Sequence, residues 1–322
     1  MTATLVTGGS GYVGATVVEE LQRRGRQVRA LDVLLHGQEH VAAQLEASGV
    51  DVIRGDVRDD DSREAALQGV DEVVHLAAIV GDPACARDPE LAYAVNVEAT
   101  RTLVADAAKA GVQRLIFAST CSNYGRMADP TVPITEDGEL APVSLYAEQK
   151  VEVEKGLLNG PPLPATVLRL ATVYGVARRM RFDLTVNEFT RDLWADRVLE
   201  VFGEQFWRPY VHVRDAALAI GTVLDAPDAQ VVGEVFNVGH SDENYRKLDL
   251  VEIIHGQIDT GEVRYVARDE DPRDYKVSFE KIRSALGFQP AMTVPTGIAE
   301  LIDALGEGRF ADPWDRGYRN IP

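Results

Sequence analysis

The sequence predicts an α/β fold: a doubly wound parallel sheet followed by a smaller C-terminal α/β cap. Three observations predict it. Short apolar, β-rich runs alternate with amphipathic helical stretches, a glycine-rich turn directly follows the first run, and the alternation loosens after about residue 175.

The strand-like runs are residues 4–7, 28–32, 51–54, 73–76, 115–118 and 166–170. Each is nearly continuous in apolar residues, as a strand covered on both faces must be. Residues 12–24, 62–68 and 89–109 lie between them with helical periodicity, which makes the strands parallel and the helices their crossovers. Further on, the pattern predicts helices near 184–196, 215–224, 248–258 and around Leu301, with strands at 199–202 and 235–238. The expected division is a nucleotide-binding domain over 1–175, rejoined by a segment near 205–240, and a substrate domain made mainly of 176–322.

Charge narrows the partners. The chain has 322 residues, 33 Lys and Arg against 51 Asp and Glu, and a formal charge of −18. A nucleic-acid backbone requires a basic face, so nucleic-acid binding is excluded, while a local basic pocket for a small phosphate ligand is allowed. Cys85 and Cys121, the 2 cysteines, give neither a disulfide framework nor a CxxC spacing, which fits a reducing cytosol. No apolar run approaches the roughly 20 residues of a membrane helix, and no basic segment precedes the first strand. The expected location is cytoplasmic, with no membrane partner. His36 and His40 have i, i+4 spacing but no glutamate in the HExxH place, so no metal is expected.

The turn Thr7-Gly8-Gly9-Ser10-Gly11-Tyr12-Val13-Gly14 stands between a strand and a helix. Glycines at Gly8, Gly11 and Gly14 let helix-start amides approach a pyrophosphate closely. The second strand ends in Asp32, where a carboxylate accepts both ribose hydroxyls of NAD and repels the 2′-phosphate of NADP. The fold is thus a Rossmann fold and the expected cofactor is NAD. Asp56, in Gly55-Asp56-Val57-Arg58, is a candidate for the adenine amino group.

Tyr146 and Lys150 are i and i+4 on a predicted helix over 145–158, which puts phenol and ammonium on one face. A free tyrosine, at about pKa 10, is a poor base near neutrality. A fixed ammonium and a positively charged nicotinamide both favour the phenolate, so the sequence predicts a lowered Tyr146 pKa. Ahead of this helix, Ser119-Thr120-Cys121-Ser122-Asn123 clusters small polar side chains at the C-terminal end of the fifth strand, where open α/β sheets bind ligands.

Together these elements resemble the extended short-chain dehydrogenase/reductase family, in its nucleotide-sugar epimerase and dehydratase branch. Residues 7–14 look like the family's TGxxGxxG, His75-Leu76-Ala77-Ala78 like its HxAA, Asn96 like the Asn of its long helix, and residues 146–150 like its YxxxK. Tyr124-Gly125 is similar to the family's YG, which puts Thr120 on the catalytic Ser or Thr position. Residues 208–215 are similar to R-D-Y-x-H-V-x-D, whose Arg, here Arg208, grips the nucleotide diphosphate. Arg268 stands where a second phosphate-binding Arg is usual. The resemblance implies cofactor contacts from Tyr12, Val13, Val57, Leu76, Ala77, Ala78, Asn96, Ser119, Tyr146, Lys150 and Tyr174. It also implies a nucleotide-holding segment with Asp183, Leu184 and Asn187. Asp82, Ser122, Asn123 and Thr172 complete the candidate sugar-site residues, and a homodimer through helices 89–110 and 145–158 is implied.

Three departures shape the expected reaction. Where 4,6-dehydratases carry Thr-Asp-Glu, this chain has Thr120-Cys121-Ser122. The cysteine that GDP-sugar epimerase-reductases use two residues before the Tyr is Ser122, and Cys121 reads as packing. The Asn of the family's R-x-x-N is Thr172. NAD with Thr120, Tyr146 and Lys150 is the minimum set for a 4-epimerase acting on a nucleotide-diphosphate sugar. The alternatives are a 4-ketoreductase, a dehydratase or decarboxylase with relocated acid-base groups, and a non-catalytic NAD sensor.

Overall fold

A computed structural model describes the chain except residues 1, 127, 128, 130, 161, 268–272 and 321–322. Its elements run β1 (Ala3–Thr7), α1 (Tyr12–Arg23), β2 (Gln27–Asp32), α2 (Glu39–Ala47), β3 (Asp51–Arg54), α3 (Asp60–Leu67), β4 (Glu72–His75), α4 (Asp82–Arg87), α5 (Pro89–Tyr93), α6 (Ala99–Lys109) and β5 (Arg114–Thr120). Then follow α7 (Leu145–Leu158), β6 (Ala165–Leu170), β7 (Thr172–Tyr174), α8 (Thr185–Trp194), β8 (Val198–Phe202), β9 (Trp207–His212), α9 (Val213–Asp225), α10 (Asp228–Val231) and β10 (Val235–Val238). The last are β11 (Asn244–Arg246), α11 (Lys247–His255), β12 (Glu262–Val266), α12 (Glu280–Leu286) and α13 (Val294–Gly306).

Seven strands form one parallel sheet in the order β10-β6-β5-β4-β1-β2-β3. Chain order reverses between β1 and β4, the switch point at which such sheets open a crevice beyond their C-terminal ends. Register makes those ends level: Thr7 pairs with Leu31 on one side and His75 on the other. Gly8, Asp32 and Leu76 are therefore neighbours across the crevice although far apart in sequence.

Side-chain alternation along β1 feeds both faces of the sheet. Val6 packs with Val17, Leu21 and Ile220 beneath α1 and α9. Leu5 packs with Leu67, Leu103 and Leu157 beneath α3, α6 and α7. A third core, with Phe182, Val186, Leu193, Leu250, Ile298 and Leu301, joins α8, α11 and α13 to two small sheets, β11-β9-β7 and β12-β8. Burying each such aliphatic side chain is worth about 1.5–3 kcal/mol.

Two local differences from the sequence expectation bear on the site. The helix expected over 89–109 contains a π-helical turn at Ala94–Glu98, and such a turn re-aims side chains. Asn96, on it, is buried. The stretch after β4, where the sequence reading places no helix before residue 89, starts a short helix at Asp82, with Pro83 in its first turn and Gly81 at φ 99° before it. Among the described residues no helix is long and apolar enough to cross a membrane.

Candidate active site

The crevice begins at the glycine turn. Gly8 adopts φ 70°, where a side chain is strained, and donates its N–H to the Leu31 carbonyl at 2.7 Å. A Cβ on Gly8 would meet the Ala77 nitrogen at 3.0 Å, and one on Gly14 would collide with the Gly8 carbonyl. Only glycine permits this approach of turn, helix and neighbouring strand end. The first-turn amides of α1 have no intrahelical acceptor, which is the usual cradle for a phosphate.

Opposite stands Asp32, buried at the end of β2. Its Oδ2 accepts from Ser10 N and its Oδ1 from Leu34 N, both at 2.9 Å. Burial raises this carboxyl above its ordinary value, against the pull of those amides and of Arg179. Gly11, Tyr12, Val13, Gly14, Asp32, Asp56, Val57, Leu76, Ala77 and Ala78 line one groove with Gly8. The Asp56 carboxylate is bonded by Arg58, which holds it below the ordinary range. Bare turn, helix start, ribose-level carboxylate and apolar β4 exit together fit a dinucleotide such as NAD.

A second cavity continues from this groove, since Tyr12, Val13, Leu76, Val80 and Arg181 line both. Into it face Ser119, Thr120, Ser122, Tyr146, Lys150, Thr172, Leu184 and Arg208. Helix α7 delivers Tyr146 and Lys150 from its first turns and is capped by the Ser144 side chain. Lys150 Nζ donates to the Ala118 carbonyl at 2.7 Å and lies 5.8 Å from the centroid of the Tyr146 ring. Burial pushes the ammonium down to about 8, while Glu154, one turn further on, opposes that shift. Thr120 Oγ1 lies 2.9 Å from Ser122 Oγ and accepts from Ser122 N.

The lowered Tyr146 pKa expected from the sequence includes the charge of a bound nicotinamide, and without that charge the phenol behaves differently. Burial pushes its pKa well above the ordinary value, and the cation that pulls it down is Arg181. The Lys150 ammonium, bonded to the Ala118 carbonyl, stays beside this ring.

Other candidates sit in the walls. Asn96 bonds both the N–H and the carbonyl of Ile79, at 2.8 and 3.0 Å, and Gln149 on α7 at 2.8 Å. It fixes the β4 exit against the helix of Tyr146 and lines neither cavity. Asn123 is fully buried and donates to Ser119 and Glu154. Tyr174 packs edge-on against Tyr210 and His212. Asn187 spends its amide on Gly175 N and the Arg181 carbonyl. Asp183 pairs with Arg181, and Asp82 with Arg273 at 2.7 Å; both acids stand behind an arginine that lines the second cavity. Arg268 lies outside the described residues. Buried Cys121 donates to the Arg169 carbonyl, and burial holds its thiol well above the ordinary value, in keeping with packing.

Several lining residues escaped the sequence reading. Arg181, Lys247, Arg273 and Tyr275 line the second cavity, and His36, Arg179 and Asn320 the groove. Burial and the nearby Arg179 and Arg181 push His36 down to about 4, so it is neutral. The run Arg178-Arg179-Met180-Arg181, dense in cations for so acidic a chain, was the signal available.

Comparison with known proteins gives these features a family. A model described as the NAD dependent epimerase/dehydratase family matches residues 4–239. The UDP-glucose 4-epimerase of Mycolicibacterium smegmatis is 29% identical, covering 93% of this chain and 97% of that protein. The UDP-N-acetyl-alpha-D-glucosaminuronate decarboxylase of Bacillus cytotoxicus is 28% identical over 94% and 97%. Among solved structures, the UDP-glucose 4-epimerase of Thermus thermophilus in complex with NAD superposes with a TM-score of 0.82 at 26% identity, over 94% of this chain and 98% of that one. The dTDP-glucose 4,6-dehydratase DesIV of Streptomyces venezuelae, with NAD and TYD bound, gives 0.84 at 27% identity, over 96% and 98%. The match to the family model takes in the glycine turn, Asp32, Thr120, Tyr146 and Lys150 alike, and on it the chain belongs to the NAD dependent epimerase/dehydratase family.

Proposed function

We propose that the protein is an NAD-dependent nucleotide-sugar epimerase that works through a transient 4-keto sugar. One observation carries this reading: Tyr146, Lys150 and Thr120 line a cavity continuous with the dinucleotide groove, and no carboxylate among the described residues lines it with them. Dehydration across C5 and C6 requires acids at those carbons, and the two places after Thr120 hold a buried thiol and a hydroxyl. Epimerisation at C4 requires one group that takes and returns a proton.

NAD, which the glycine turn and Asp32 would hold, would supply a reversible hydride acceptor for the reacting carbon. Tyr146 Oη takes the sugar hydroxyl proton as the alcohol becomes a ketone and gives it back on reduction. Lys150, anchored on Ala118, holds positive charge beside the ring. The Thr120 hydroxyl hydrogen-bonds the reacting oxygen, with Ser122 behind it. Arg181, Arg208, Lys247 and Arg273 concentrate positive charge on the cavity wall of a protein whose net charge is −18, which suits a nucleotide diphosphate. In this reading residues 1–175 hold most of the cofactor and 176–322 most of the sugar nucleotide.

The test is incubation of the purified protein with UDP-, GDP-, dTDP- and CDP-sugars, UDP-glucuronic acid included, followed by NMR. The expected product differs only at C4, without net NADH and without loss of water or CO2. Stoichiometric release of either, or of NADH, overturns the reading.

A further inference from the structure

Arg179 is 4% exposed, yet it lines the cofactor groove. Its guanidinium is held by two uncharged partners, both from the end of the chain. Nη1 donates to Asn320 Oδ1 at 2.6 Å and Nη2 to the Arg319 carbonyl at 3.0 Å. Nε is buried and has no acceptor among the described residues. No ion pair is formed by Arg179 among those residues; burial and the neighbouring Arg181 work against its charge, and Asp183 and Asp32 favour it. A buried cation with a spare donor and no counter-ion is costly unless an anion reaches it.

The chain end that holds Arg179 is itself anchored. Tyr318 packs edge-on against Phe182 and Phe310, its carbonyl accepts from Phe182 N at 2.9 Å, and Asn320 N donates to Asp183 Oδ2 at 3.1 Å. Asn320 also lines the groove. Residues 318–320 therefore cross from the aromatic cluster to the groove wall facing the glycine turn.

We propose that Arg179 is a cofactor-binding residue that contacts the diphosphate of NAD, and that residues 319–320 are a strap that holds it there and slows cofactor release. The diphosphate is the only anion NAD has, so it is the group that completes the Arg179 site. The phosphates then lie between the α1 amides on one side and a guanidinium on the other. This rests on the chain's family and its groove; it does not depend on which sugar reacts, so epimerase chemistry can fail while this stands.

Binding to the apoprotein, without sugar, tests it. Arg179→Met weakens NAD and ADP by about tenfold or more, the scale of one lost charge-assisted hydrogen bond, and leaves adenosine unchanged. Truncation after Tyr318 keeps the aromatic anchor and gives a similar loss, the double variant binding no worse than either single one. Asn320→Ala, which leaves the backbone whole, shifts NAD dissociation in the same direction by less. Equal weakening of adenosine and NAD would reduce Arg179 to a structural support. Parental NAD affinity and dissociation rate in the truncated protein would remove the strap.

Discussion

Lys150 links the Tyr146 ring to the end of β5. The lysine ammonium is bonded to the Ala118 carbonyl of β5 at 2.7 Å, and from there lies 5.8 Å from the Tyr146 ring centroid. The position of the ammonium beside the phenol is thus fixed by backbone. Burial works against both groups, raising the phenol and lowering the ammonium.

A pH signature of folding follows from Lys150. In the folded apoprotein its pKa is pushed down to about 8, against 10.5 for the free side chain. Between those values the unfolded chain retains a proton that the folded chain has shed, so this group's contribution to stability rises with pH across that window. The melting temperature of the parent relative to Lys150→Met is expected to climb between pH 8 and 10. A flat difference would mean that the ammonium is not desolvated.

Behind the cavity, buried Glu154 and Arg169 form an ion pair at 2.8 Å, and Glu154 also accepts from Ser119 and from Asn123. Breaking one side strands the other charge. Glu154→Leu alone is expected to cost about 3–5 kcal/mol in urea unfolding, while Glu154→Leu with Arg169→Met recovers much of it. If single and double variants lose the same stability, the pair is not coupled.

Asp32 is expected to set cofactor choice. Asp32→Asn keeps the size and one of the two acceptors that Ser10 N and Leu34 N use, and removes the charge that repels a 2′-phosphate. NAD affinity should fall by about tenfold and the preference for NAD over NADP should shrink; titration of both cofactors measures this. An unchanged ratio would assign the discrimination to other residues of the groove.

What was legible in sequence divides along a physical line. The sheet, the glycine turn and the α7 pair are local patterns: a strand, a tight turn, a helix period, each set by residues within one or two turns of each other. Asp32 could be read because it ends a strand whose neighbour ends in the turn. Orientation of polar side chains was not legible. Asn187 and Asn123 have the chemistry of ligand contacts, but their amides are spent on backbone and buried partners that only tertiary packing supplies. The π-helical turn that sets Asn96 inward is one residue of phase within an otherwise regular helix. Arg179 with Asn320 joins positions 141 residues apart, a pairing that no spacing rule contains.

The phenol of Tyr146 as the group that moves the proton is the claim on which the mechanism turns. Tyr146→Phe, assayed with the sugar nucleotide that the parent turns over best, tests it most directly. The account predicts NAD bound at the parental level with kcat reduced at least 100-fold, within the range for loss of a general acid-base group. A kcat within threefold of the parent, with NAD still bound, would contradict it and assign the proton to another residue.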